Sequence, residues 1–172
     1  MVNRPSIEEY FPFHEQYIGL VGEGDVTALL AEQLASTTEL LSDIPEAQAD
    51  YRYAEGKWTL KEVIGHISDN ERVMAYRLLR AARGDRTPLA GYDQDEFMSG
   101  ASFQSWSLAQ IIEDYISVRK STLALLRGLT DEAWLRIGVS NGGDVSVRAI
   151  AYIIAGHELH HLKIIHEKYL AK

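Results

Sequence analysis

Two histidines four residues apart, His157 and His161, lie in an isoleucine-rich stretch near the end of a chain of 172 residues. In a helix that spacing sets both rings on one face, about one turn apart. At 100° per residue both fall within about 20° of Ile150, with Ile153, Ile154, Ile164 and Ile165 around them. The two imidazoles therefore occupy the middle of a core-facing apolar stripe. A single buried imidazole is ordinarily satisfied by one hydrogen bond. Two neighbours must avoid joint protonation and must satisfy four ring nitrogens away from water, which is costly unless something binds them. A divalent cation does so directly, because neutral imidazole is its common ligand and an (i, i+4) pair can reach one ion.

Two ligands do not make a stable site, so a third donor is expected from another helix. His66 is the best placed, on the edge of a stripe formed by Leu60, Val63, Ile64, Ile67 and Met74. His160 falls on the margin of the last stripe and His166 on its outer face. His14 lies among Tyr10, Phe11, Phe13 and Tyr17, a segment expected to pack as an aromatic flap. Three neutral histidines leave coordination positions for water or substrate, the pattern of a catalytic metal site. His157-Glu158-Leu159-His160-His161 also satisfies the H-E-x-x-H pattern of zinc proteases. The extended form would need glycine at 164 and histidine at 167, where the chain has Ile164 and Glu167.

The elements that must position these rings are helical. Apolar residues recur with helical period in four segments, and no comparable stretch alternates with period two. Asp25 caps a helix over 26–43, with Pro45 close behind. Thr59 with Glu62 makes a capping box, with Trp58 and Val63 at the hydrophobic-staple positions, for a helix running to Ala82 before Gly84. A third spans Ser107 to Arg127 and stops at Gly128; a fourth starts at Val145 or Ser146 and continues almost to the end. Asn141-Gly142-Gly143-Asp144 reads as a turn. The stretch Gly84 to Trp106 is too long for a plain loop and is expected to be locally structured, covering one end of the molecule. The expectation is a single domain over 1–172, all-α, a four-helix bundle with a long connection between helices 2 and 3.

Composition narrows the function. The net charge of −8 is concentrated in residues 1–50, which hold ten acids and one base. A global excess of acid argues against a nucleic-acid partner. The run Arg72, Arg77, Arg80, Arg83 and Arg86 reads as a solvated helix flank. With no cysteine, disulfides, thiolate ligands and a cysteine nucleophile are all excluded, so any thiol chemistry uses a thiol from outside. The longest apolar run, Ala149 to Gly156, is 8 residues, too short to span a bilayer. Met1 to Tyr10 lacks the basic start and apolar stretch of a secretory signal, and a cytoplasmic location is expected.

Lys57-Trp58-Thr59-Leu60-Lys61-Glu62-Val63-Ile64-Gly65-His66-Ile67-Ser68-Asp69, with Gly156-His157-Glu158-Leu159-His160-His161, resembles the DinB-like (YfiT-like) superfamily, across nearly the whole chain. The resemblance implies a four-helix bundle binding a divalent metal, zinc or nickel, through His66, His157 and His161. It also implies the chemistry of metal-dependent S-transferases that use bacillithiol, mycothiol or glutathione, with hydrolases and isomerases among the relatives. The leading expectation is a transferase joining an external low-molecular-weight thiol to a small electrophile. A hydrolase using the same metal, and a metal-stabilised binding module without turnover, are the alternatives. The partners expected are a small-molecule substrate and a second copy of the chain, with no nucleic acid and no membrane. Glu158, flanking the ligand face, is open to two roles, general base or ion-pair partner of a Lys or Arg. Asp69 either accepts a ring N–H from His66 or is a solvated helix residue. Tyr92, Asp93 and Phe97 are expected at the mouth of the pocket.

Overall fold

Each long helix begins where the sequence supplies an oxygen for its free amides. In the computed structural model, which describes residues 2–171, a short α1 (Glu15–Ile18) precedes α2 (Val26–Ser42), where the Asp25 carboxylate accepts from the amides of Thr27 and Ala28. The reciprocal Thr59–Glu62 box opens α3 (Leu60–Ala82). A short α4 (Gln94–Gly100) lies inside the long connection, and a Ser107–Gln110 box opens α5 (Leu108–Arg127). After α6 (Asp131–Leu135), Ser146 caps α7 (Val147–Ile164). Gly84, at φ +81°, supplies the left-handed residue that ends α3. Replacing Thr59 with alanine removes one half of its box and is expected to cost about 1 kcal/mol in urea unfolding.

The core is two apolar clusters separated by a polar layer. Along α2 the order is Leu30, then Gln33 and Thr37, then Leu41; along α7 it is Ile154, then His157 and Glu158, with Ile165 in the turn that continues it. Along α3 and α5 the same layers are met in reverse, as Ile67, Glu71, Met74 and as Tyr115, Arg119, Leu123. Helices α2 and α7 therefore run one way and α3 and α5 the other. Neighbours around the bundle are α2–α5, α5–α3, α3–α7 and α7–α2, which places α2 diagonal to α3 and α5 diagonal to α7. Because α3 and α5 are adjacent and parallel, the chain must travel back the full bundle length, about 30 Å, between them. That is why the connection from 83 to 107 is long.

The turn read at Asn141–Asp144 is the tip of a short antiparallel hairpin, β1 (Ile137–Ser140) with β2 (Gly143–Ser146), where the sequence reading had no strands. Four-residue strands are too short to show alternation. The usable signal is Asn141-Gly142, both at positive φ, +51° and +86°, as a two-residue hairpin turn of the I′ type requires. The hairpin holds the long connection in place: the Leu89 amide donates to the Val139 carbonyl at 3.0 Å, and the Asn141 amide to the Leu89 carbonyl at 2.9 Å.

Candidate metal centre

His66 on α3 meets His157 and His161 on α7 at the level of the polar layer. One nitrogen from each ring lies within 4.8 Å of the others, and the Nε2 atoms of His66 and His157 are 3.1 Å apart. Tetrahedral ligands at the ordinary Zn–N length of about 2.0–2.1 Å lie roughly 3.3 Å from one another, so the spacing suits one small cation. His66 and His157 are buried and His161 is half-buried. Burial lowers His66 to about 4 and His161 to about 3. His157 is depressed well below the ordinary range by burial and by the facing rings of His161 and His66. All three are neutral at pH 7 and offer lone pairs, so the donor set fits a divalent metal.

These shifts have a consequence for the metal-free protein. A histidine whose folded pKa lies below its unfolded value of about 6.5 makes the unfolded chain bind more protons, so stability falls as pH falls. Chelated protein is expected to lose stability progressively from about pH 6.5 towards pH 4, and to change far less between pH 7 and 8. Urea midpoints across that range check this.

Aromatic groups fix the rings. Trp58 lies on His66 with centroids 4.8 Å apart, and Tyr17 meets His157 and His160 edge-on at 5.4 Å each. A glycine precedes the ligand on each helix. A Cβ at Gly65 would lie 2.5 Å from the Phe103 ring, and one at Gly156 would lie 2.1 Å from the Tyr17 carbonyl oxygen. The Gly156→Ala variant must push the N-terminal segment off α7. It is expected to lose about 1–3 kcal/mol, with faster amide exchange over residues 15–20.

Two cavities reach the imidazoles. The first, about 340 Å³, touches His66 and His157 and is walled by Tyr17, Asn70, Arg77 and Tyr92. The second, about 410 Å³, touches His161 and His160 beside Trp58, Tyr53 and Lys57.

The remaining sequence candidates divide. Tyr92 and Asp93 line the first cavity; Phe97 packs on Tyr92 at 4.7 Å but is half exposed and does not line it. Asp69 does not accept from His66: it pairs with Arg72 at 3.1 Å, and Arg72 reaches on to Asp114. His14 packs edge-on to Phe11 and Phe13 over the first cavity, and His166 is exposed. Glu158 takes the ion-pair role. Its carboxylate is fully buried, accepts from Thr37 at 2.6 Å and Tyr115 at 2.9 Å, pairs with Arg119, and lines neither cavity at the imidazoles. Arg119 also forks onto Glu71, at 2.8–3.1 Å. Burial would lower the Arg119 pKa, but these two carboxylates carry it upward and keep the charge in place.

The sequence reading missed two cavity residues, Asn70 and Arg77. Arg77, expected on a solvated helix flank, is buried, whereas Arg80 and Arg86 of the same run pair with Asp85 and Asp144 at the surface. A signal existed. Four and eleven residues beyond His66, these positions fall within about 40° of it on α3, on the ligand's own face.

An antiparallel-and-parallel four-helix bundle holding three convergent imidazoles in its polar layer defines a class of metal-site bundles. The chain belongs to the DinB superfamily, whose model matches residues 29–165. It is 27% identical over 146 residues, 83% of this chain and 81% of the relative, to a candidate metal-dependent hydrolase of Bacillus pumilus. It is 25% identical to another, of Oceanobacillus iheyensis, over 91% of this chain and 82% of the relative. Among solved structures, YfiT of Bacillus subtilis, described as a candidate metal-dependent hydrolase with an unusual four-helix-bundle topology, aligns with TM-score 0.72. That match has 17% identity and covers 89% of this chain and 95% of YfiT. A mycothiol-dependent maleylpyruvate isomerase aligns with TM-score 0.67 and 15% identity, over 84% of this chain and 61% of the isomerase. Among the described residues no helix is long and apolar enough to cross a membrane.

Proposed function

We propose that the protein is a metal-dependent enzyme in which His66, His157 and His161 hold one divalent cation, zinc or nickel, and in which an external low-molecular-weight thiol is transferred to a small electrophile. The observation that carries this reading is the meeting of two separate cavities on one set of neutral imidazoles. A cation there supplies Lewis acidity, lowering the pKa of a thiol or water beside it. Two substrates need two approaches, and each cavity reaches a different part of the histidine set. Trp58 and Tyr17 pack against the rings of His66 and His157 and hold their orientation. His160, lowered by burial and by Lys163, is neutral at pH 7 and lines the second cavity, where it can take the proton that a thiol gives up.

Hydrolysis of an amide or ester is the second reading, favoured by the relatives named for metal-dependent hydrolases. Incubating metal-loaded protein with electrophiles in the presence and absence of bacillithiol, mycothiol or glutathione separates the two. Turnover that requires added thiol supports transfer; turnover of amides or esters without thiol overturns it.

A further inference from the structure

The first cavity contains a buried cation with no counter-ion. Arg77 is 8% exposed, and among the described residues no carboxylate pairs with it. Of its five N–H bonds, one reaches the Ala90 carbonyl at 2.8 Å and another the Met74 sulfur at 3.7 Å, while its guanidinium lies 5.8 Å from the centre of the Tyr92 ring. Burying a guanidinium without an anion is expensive, and proteins ordinarily pair such a charge. The other buried arginine of the bundle, Arg119, follows that rule with two carboxylates.

Asn70 lies between Arg77 and His66 on the same face of α3. The Tyr92 hydroxyl donates to its Oδ1 at 2.6 Å, which fixes the amide and leaves its NH2 without a protein acceptor among the described residues. The Nδ1 of His14, which lines the same cavity, is buried and also without a partner. Asp93 on the cavity wall does not neutralise Arg77; its carboxylate accepts from the amides of Asp95 and Glu96.

We infer that the Arg77 guanidinium and the Asn70 amide form a receptor for the carboxylate of the substrate, so that the enzyme acts on small monocarboxylates. The inference deepens the metal-centre reading and rests on it for the identity of the reacting end. Paired donors on a planar fork match a carboxylate, and a single positive charge matches a single negative one. From the helical rise, the receptor lies on the order of 10 Å from His66 along α3. The substrate would thus carry its reactive group several bonds from its carboxylate.

NMR titration with butyrate, butanamide and inorganic phosphate, on metal-loaded and on chelated protein, tests this. Butyrate is expected to shift the Arg77 side-chain signal in both forms, with butanamide at least about tenfold weaker. Arg77→Met is expected to weaken butyrate by about tenfold or more. Asn70→Asp keeps the acceptor for Tyr92 and leaves Arg77 intact, but puts a carboxylate where the ligand's would sit. It is expected to abolish butyrate binding while melting no lower than the wild type, so the test survives if Arg77→Met fails to fold. Unchanged butyrate affinity in either folded variant would overturn the receptor, as would tighter binding of phosphate. Butyrate binding that vanishes on chelation places the carboxylate on the cation and also overturns it, leaving the metal reading standing. Arg77-dependent binding in a chain that retains no metal upholds the receptor and removes the metal reading instead.

Discussion

Replacing His157 with alanine is expected to reduce bound zinc or nickel from near one equivalent per chain to below about one-tenth, and with it all metal-dependent turnover. Losing a group that merely orients a ligand costs about 10–100-fold in metal affinity, and losing one of three ligands costs more. The His157 ring is buried and lies 4.9 Å from His66 and 4.5 Å from His161, centroid to centroid. Elemental analysis of wild type and variant after gel filtration measures the loss. A second readout is the metal-induced rise in melting temperature: a cation at a hundred times its Kd stabilises the fold by about 2.7 kcal/mol. That rise should be present in wild type and absent in His157→Ala. A variant that keeps stoichiometric metal would show that the cation is bound elsewhere.

Substitution of Arg119 by methionine is expected to cost about 3–5 kcal/mol, or a fall in melting temperature of roughly 6–20 °C, the largest stability effect of any single change considered. The side chain is fully buried and is the only cation between Glu71 and Glu158 among the described residues. Removing it strands two carboxylates in the bundle interior, where charge without a partner is most costly. Glu158→Gln makes the complementary test. It keeps acceptor oxygen for Thr37 and Tyr115 but deletes the charge facing Arg119. The ion-pair role requires a drop in stability with metal content maintained in the folded protein. A general base would instead lose turnover with unchanged melting, a result that would return Glu158 to the active centre. Urea unfolding at pH 7 with parallel metal analysis distinguishes the two.

Much of this molecule is readable without coordinates because its signals are local. The Thr59–Glu62 and Ser107–Gln110 boxes, the Asp25 cap and the glycines after the helices depend only on neighbouring amides and carbonyls, so the starts and stops follow from short stretches of sequence. His157 and His161 share a face for the same reason. Glu158 is where local reading runs out. Its azimuth beside the histidines is correct, but the choice between base and ion pair depends on Arg119 and Tyr115, 39 and 43 residues away on α5. Asp69 fails similarly, captured by an arginine three residues on that itself reaches Asp114.

By itself the amino-acid order determined the four helices, their apolar faces and the three imidazoles capable of sharing an ion, since helical period and capping are properties of adjacent residues. Only the tertiary arrangement decided that α3 and α5 run parallel, that Glu158 belongs to a buried charge layer, and that Arg77 faces a cavity instead of water. Those outcomes depend on which helix lies next to which. That adjacency follows from burying every apolar stripe at once, a constraint no single segment contains.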